Sequence, residues 1–398
     1  MVDVAASPTG AGARRSVPVV GMVGGGQLAR MTAQAAVALD VALVVLADDD
    51  EPPAAVAAEV VAGSPRSATD LRRFADLVDV VTFDHELVDL DAVAALEAAG
   101  HAVRPGSGTI ALAVDKSIQR RRLGELGFPV PDWAEVSTVD EIAAFADRHG
   151  WPLVLKAATG GYDGRGVWIV DDASAAATLV AESAPAGVRL LAEPMLPIDR
   201  ELAVVVARRP SGDEVVYEPV ETVQADGICR EVRLPAAVDA AVHDEARRIA
   251  GGIAEAIDAV GILAVELFVC GDQVVVNELA CRPHNSGHIT MDACTTSQFE
   301  NHLRAVLDLP LGSVEPVAPA AVMVNLLGGP DGEDPRQRLS LGLAVDRAKV
   351  HLYGKAARPG RKVGHVNAVA DDLAEARRVA LTAADALTGM DNDVAGGR

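Results

Sequence analysis

Residues 262–288 read ILAVELFVCGDQVVVNELACRPHNSGH, and the fold turns on how this stretch is parsed. ILAVELFVC and QVVVNELA are β-rich apolar runs joined by the turn dipeptide Gly271-Asp272, a pattern that predicts a hairpin. Each run carries one carboxylate inside apolar sequence, Glu266 in the first and Glu278 in the second. An acid buried alone is costly and two facing acids repel, unless a cation neutralises both. Mg2+ suits such a pair, because it takes oxygen ligands and is commonly held by one or two carboxylates, waters and a substrate phosphate. Two acids on a solvent-facing edge strand are the plainer alternative. The run that follows, Arg282 to His288, crowds hydrogen-bond donors with no large apolar side chain among them. Arg282, His284 and Asn285 can each donate to a small planar oxyanion beside a nucleotide's terminal phosphate; bicarbonate and a carboxylate substrate both fit. His288 and His302 read as structural histidines.

Toward the N-terminus, VPVVGMVGGGQLARMTAQAA gives an apolar strand, a glycine turn and a helix, and VALVVLADDD a second strand ending in acids. This opens a doubly wound parallel sheet, expected over residues 17–112. Gly24-Gly25-Gly26-Gln27-Leu28-Ala29 satisfies G-x-G-x-x-A, and Asp48 closes the next strand, as in a dinucleotide-binding fold. A glycine turn at a helix N-terminus serves other anions equally well.

A central domain is expected over residues 113–313, with a lid subdomain at about 125–192. Lys156 ends the strand PLVLKA, and GGYDGRG follows, with Gly161, Gly164 and Gly166 among its glycines. Glycines free backbone N–H groups to line one concavity while a lysine supplies a point charge, which describes a flexible flap over nucleotide phosphates; it is not a Walker A loop. Lys116 offers a second phosphate contact, or is a solvated helix lysine. Glu193 and Glu201 flank the strand break EPMLPIDRE, where a hinge exposes backbone to an adenine edge and a carboxylate to ribose hydroxyls. Beyond residue 314, strands near AVMVNLLG and AKVHLYGK, the basic turn RPGRKVGH and a final helix make a small C-terminal α/β domain to residue 398.

Acids outnumber bases 57 to 35, for a net charge of -22, which argues against a nucleic-acid surface and makes the cluster Lys355, Arg361, Lys362 conspicuous. Cys229, Cys270, Cys281 and Cys294 form no C-x-x-C pair and read as reduced thiols. Residues 1–16 read as a loose tail rather than a secretory signal, no run is long and apolar enough to span a membrane, and the cytoplasm is the default expectation.

Taken in order, GGGQLARM, the LK strand with GGYDGRG, the glutamate pair and NELACRPHNSGHITMDACTTSQFENHLRAVLDLPLG resemble the ATP-grasp superfamily. Within it the chain is similar to the 5-(carboxyamino)imidazole ribonucleotide synthases of purine biosynthesis. The resemblance implies an α/β ATP-grasp fold and a homodimer. It implies that ATP phosphorylates bicarbonate to carboxyphosphate and that 5-aminoimidazole ribonucleotide takes the carboxyl group. Lys116, Lys156 and the lid glycines would hold ATP phosphates, Glu193 the adenine, Glu201 the ribose, and Glu266 with Glu278 would hold Mg2+, or Mn2+ in its place. Arg282, His284 and Asn285 would hold bicarbonate. The aminoimidazole would lie near Gln27, Glu86, Tyr162 and Asp163, with its 5′-phosphate on Lys355, Arg361 and Lys362. Cys281, Ile289, Asp84 and Gln224 depart from the family pattern without removing a ligand. A related carboxylate-activating ligase, such as a formate-dependent glycinamide ribonucleotide transformylase, is the nearest alternative. A nicotinamide dehydrogenase would use only the first glycine turn and Asp48, and a non-catalytic nucleotide sensor would leave the anion loop idle.

Overall fold

The computed structural model describes residues 17–48, 53–161, 165–330 and 332–393, so the tail read at residues 1–16 lies outside the described residues. Among the described residues the strands form three sheets. The first contains β1 (Val19–Val23), β2 (Ala42–Ala47), β3 (Glu59–Ala62) and β4 (Val80–Phe83). Its order is β3-β2-β1-β4 and every pairing is parallel. All residues of β1 and β4 are buried, as continuous apolar strands between two covering layers must be. One face packs Val20, Met22 and Val45 against Ala29 and Ala33 of the helix Gln27–Ala38, and against Leu303 and Val306 of the helix Gln298–Val306. The helix that follows the RPHNSGH loop therefore lies on the N-terminal sheet, which carries that loop toward the first glycine turn.

The second sheet holds β5 (Ala134–Val136), β6 (Leu153–Ala157), β7 (Val167–Val170) and β8 (Leu190–Pro194), antiparallel in the order β5-β8-β6-β7. β6 and β7 pair from Leu153 with Val170 to Lys156 with Val167, so the strand, glycine loop and returning strand form the hairpin expected from PLVLKA and VWIV. Ile142, Phe145, Leu153, Leu155 and Leu179 make its core. Thr138 and Glu141 start the helix Val139–His149 with a reciprocal capping box, which satisfies two otherwise unpaired N–H groups.

The third sheet is the largest: β9 (Arg200–Arg208), β10 (Glu214–Val216), β11 (Val220–Ala225), β12 (Ile228–Leu234), β13 (Gly261–Cys270), β14 (Gln273–Ala280), β15 (Ala320–Leu327), β16 (Ala348–Leu352) and β17 (Lys362–Ala370). Its order is β14-β13-β9-β11-β12-β15-β17-β16, with β10 beside β9. The C-terminal strands thus continue the central sheet through the β12–β15 pairing, Glu231 with Val324 to Leu234 with Ala321. The sequence reading treated Lys362 to His365 as the end of a basic turn, yet KVGHVNAVA is a central strand. It tolerates polar side chains there because they are paired: Tyr353 Oη lies 2.8 Å from His365 Nδ1, and Asn367 Nδ2 donates to Asp292 Oδ2 at 2.8 Å.

Candidate active site

β13 and β14 place Glu266 directly opposite Glu278. The register slips between Glu266 and Leu267, leaving Asn277 as the extra residue of a β-bulge, a feature that re-aims side chains beside active sites. Asn277 Nδ2 lies 3.4 Å from Glu266 Oε2, and its Oδ1 accepts from Lys156 Nζ at 3.3 Å. Lys116, at the start of the helix Lys116–Glu125, donates to Glu278 Oε1 at 2.5 Å. Burial first, then Glu278 and Glu201, push the Glu266 carboxyl up to about 7 against the pull of Lys362 and Lys116. Lys116 offsets one charge of the carboxylate pair, and the raised Glu266 pKa marks the charge that remains. Among the described residues no group of three or more His, Cys, Asp or Glu side chains forms a metal cage. The pair fits a hard divalent ion whose remaining ligands are phosphate oxygens and water.

On the lid side, β6 and β8 bring Lys156 and Glu193 together. Glu193 Oε2 lies 2.7 Å from Lys156 Nζ, and Oε1 accepts from Arg120 Nε at 2.7 Å. Burial opposes ionisation of Glu193, but the two cations outweigh it and hold its carboxyl below the usual range. Glu201 on β9 is raised by its own burial, with Lys156 opposing. Gly166 has φ +76°, and a Cβ on Gly161 would stand 2.8 Å from the Arg165 carbonyl oxygen, so the loop needs glycine at both positions. Tyr162, Asp163 and Gly164 lie outside the described residues.

The anion loop lies against the carboxylate pair. His284 Nδ1 is 2.9 Å from Ser286 Oγ and accepts from the Ser286 N–H at 3.4 Å, while Nε2 is 3.4 Å from Glu266 Oε1. Nδ1 accepting leaves the proton on Nε2, the ring nitrogen on the Glu266 side. Burial, then Arg282 and Lys362, hold the His284 pKa at about 3, so the imidazole is neutral. Arg282 Nε donates to Glu86 Oε2 at 2.7 Å. Asn285 and Asn325 exchange amide hydrogen bonds at 2.9 and 2.8 Å.

A cleft of about 170 Å³ opens on the other side, lined by Gly24, Gly25, Gly26, Asp48, His85, Lys355 and Arg361 among others. Lys355 Nζ donates to Gln27 Oε1. Lys362 opens β17, and its charge reaches both Glu266 and His284. The Gly26 N–H donates to the buried Asp84, and a Cβ on Gly26 would collide with that carboxylate. The N–H that a dinucleotide pyrophosphate would use is therefore engaged, which removes the main support for the dehydrogenase reading.

The structure thus gathers Lys116, Lys156, Glu193, Glu201, Glu266, Glu278, Arg282, His284 and Asn285 on one side, with Gln27, Glu86, Lys355, Arg361 and Lys362 adjoining. It adds groups to which the sequence reading assigned no role: Arg120, Asn277, Gln298 and Asn325. A signal existed only for Asn277, which sits beside Glu278 in NEL. His302 is structural as expected, with Nε2 2.8 Å from Thr82 Oγ1 and Nδ1 accepting from the Ile262 N–H. His288 is less remote than expected, its Nε2 lying 3.4 Å from Gln27 Nε2.

Three family models match the chain in succession: the ribonucleotide synthetase preATP-grasp domain over residues 17–114, the ATP-grasp domain over 121–299, and the phosphoribosylaminoimidazole carboxylase C-terminal domain over 321–379. Fold and site together make the chain an ATP-grasp enzyme. It is 46% identical over 381 residues to the N5-carboxyaminoimidazole ribonucleotide synthase of Mycobacterium bovis, covering 94% of this chain and 89% of that one. The Corynebacterium ammoniagenes synthase is 42% identical, covering 93% and 92%. A solved synthase from Aspergillus clavatus, in complex with ADP and 5-aminoimidazole ribonucleotide, superposes with a TM-score of 0.84 at 34% identity, covering 94% of this chain and 98% of that one. The chain belongs to the N5-carboxyaminoimidazole ribonucleotide synthase family.

Proposed function

We propose that the chain catalyses ATP-dependent carboxylation of 5-aminoimidazole ribonucleotide by bicarbonate. A bicarbonate oxygen attacks the γ-phosphorus of ATP, the bond to the bridging oxygen breaks, and ADP and carboxyphosphate form. The exocyclic amine of the ribonucleotide then attacks the carboxyl carbon. Its C–O bond to phosphate breaks, the nitrogen loses a proton, and 5-(carboxyamino)imidazole ribonucleotide and phosphate leave.

The observation that carries this reading is the carboxylate pair of Glu266 and Glu278, with Glu266 lying 3.4 Å from a neutral His284 on a donor-rich loop. Lys116, Lys156 and the loop of Gly161, Gly164 and Gly166 hold the ATP phosphates. Because both Glu193 oxygens are already ion-paired, this segment meets adenine through its backbone, and Glu201 meets the ribose. Glu266 and Glu278 would hold Mg2+, which when bound neutralises charge on the phosphate oxygens. Arg282 stabilises the developing charge on the bicarbonate side, and the His284 Nε2–H orients the oxyanion without adding charge. Asn285, fixed by Asn325, completes the donor set. The aminoimidazole lies near Gln27, Glu86, Tyr162 and Asp163, and its 5′-phosphate on Lys355, Arg361 and Lys362. A closed lid keeps water from the short-lived acyl phosphate.

The test is ADP release by the purified chain. It is expected to require Mg2+, to be stimulated by 5-aminoimidazole ribonucleotide, and to accompany entry of labelled bicarbonate into an acid-labile product. Stimulation by formate with glycinamide ribonucleotide instead would assign the chain to the related transformylases.

A further inference from the structure

Gln298 is fully buried at the start of its helix and grips the His284 backbone at both ends. Its Oε1 accepts from the His284 N–H at 2.9 Å, and its Nε2 donates to the His284 carbonyl at 2.8 Å. Those partners have fixed polarity, so the amide has one orientation. A Cβ on Gly287 would collide with this side chain, which is why glycine stands there. The same Gln298 nitrogen faces His288 Nδ1 at 3.0 Å; Nδ1 must accept, and the His288 proton sits on Nε2. His288 is sealed among Phe299, Tyr353 and His365, and burial together with the nearby His284, Lys362, His351 and Arg282 disfavours its cation.

The His288 Nε2–H points at the Gln27 side chain, 3.4 Å away. On its other side Gln27 meets a second donor, the Lys355 ammonium. One carboxamide oxygen therefore faces two donors, and its NH2 group must oppose either a ring N–H or an ammonium. A half-turn about the terminal torsion exchanges the two states, and that torsion is broad and two-fold.

We propose that Gln27 is a two-position relay linking the 5′-phosphate site to the bicarbonate loop, with His288 and Gln298 as positioning residues; this rests on the functional reading above, in which Lys355 meets the substrate phosphate. An arriving phosphate draws the Lys355 ammonium off Gln27. The freed Gln27 oxygen turns to the His288 Nε2–H, and the series His288, Gln298, His284 backbone becomes fully paired. Occupancy by one substrate thereby completes the pairing that braces the loop holding the other. A side chain with two discrete states, each favoured by a different site, is the physical requirement for coupling.

The experiment is a mutant cycle on kcat/KM for 5-aminoimidazole ribonucleotide in the full chain. Lys355→Met, Gln298→Glu and their combination are compared in the native background and in a Gln27→Leu background. Gln298→Glu keeps the size and the acceptor for the His284 N–H but has no NH2 group for His288 or for the His284 carbonyl. In the native background the double variant is expected to retain about tenfold more activity than the product of the single losses, and with Gln27→Leu the losses should multiply independently. Independent losses in the native background overturn the relay, because side chains that only support the fold act separately. An excess that survives Gln27→Leu also overturns it. If Gln298→Glu does not fold, His288→Gln takes its place in the same cycle with the same expectation. An unaltered chain with no substrate-dependent ADP release would sink the functional reading instead, which keeps the two failures apart.

Discussion

Glu193 and Glu266 are carboxylates on buried strands of one chain, and they sit in opposite electrostatic conditions. Glu193 has a cation on each oxygen, Lys156 at 2.7 Å and Arg120 at 2.7 Å, and stays ionised despite its burial. Glu266 faces another carboxylate across the hairpin, with Glu201 adding to the repulsion, and its pKa rises to about 7. The first is closed by its own cations. The second is open, and the open site is where a ligand's charge belongs. The sign of the neighbours sets the two apart.

The largest effect that can break this contrast is at Glu278. Glu278→Gln is expected to cut ADP release by about a thousandfold or more while leaving the melting temperature close to that of the parent, because the group serves the ligand and not the fold. Near-normal turnover would remove the pair from the mechanism. Arg120→Met should behave in the reverse sense. It strips Glu193 of one cation in a buried site and is expected to cost about 3–5 kcal/mol in urea unfolding. A loss below about 1 kcal/mol would mean that Glu193 is not closed by Arg120.

A smaller effect concerns pH. The Glu266 carboxyl titrates near 4.5 when unperturbed and at about 7 in the folded chain, so the folded state binds this proton more tightly. Its contribution to stability is complete below pH 4.5 and is lost as pH rises through about 7. In metal-free buffer the melting temperature should therefore fall across that window, and fall less in Glu266→Gln. Identical slopes in the two proteins would contradict the raised pKa. The smallest effect is the surface reference: Arg72 and Asp76, 3.4 Å apart with both side chains 55% exposed, should lose under about 0.5 kcal/mol on Arg72→Ala in the same unfolding assay. A loss as large as that of Arg120→Met would erase the distinction between exposed and buried pairs.

Much of the site was legible because its parts are close in sequence. Glu266, Glu278 and the loop from Arg282 to Asn285 fall within one hairpin and the turn that leaves it, so apolar patterning and charge cost were enough. The parallel opening sheet was equally readable from β1, its glycine turn and β2. Arg120 was not, because QRRRLGELG reads as a solvated helix until the lid brings Glu193 to it. Gln298 and Asn325 were invisible for the same reason: polar residues in apolar surroundings announce a partner without naming it. Asn277 stood beside Glu278 in sequence, but its place in the site depended on a bulge, a register shift that alternation does not encode. That the C-terminal strands continue the central sheet was not legible, because sequence reports each strand's face, not which neighbour it pairs with, and β12 joins β15 across a long connection. His365 and Asn367 further disguised β17, since a strand holding buried polar groups breaks the apolar run expected of a central position.

Divalent-ion binding to the full chain with ADP present addresses the open carboxylate pair most directly. Manganese titrated by electron paramagnetic resonance into the parent, Glu266→Gln and Glu278→Gln should show one nucleotide-dependent site, weakened at least about tenfold by either substitution, as loss of one carboxylate from a two-carboxylate site requires. Manganese bound with unchanged affinity in both variants would place the ion elsewhere and leave Glu266 and Glu278 without the role given to them.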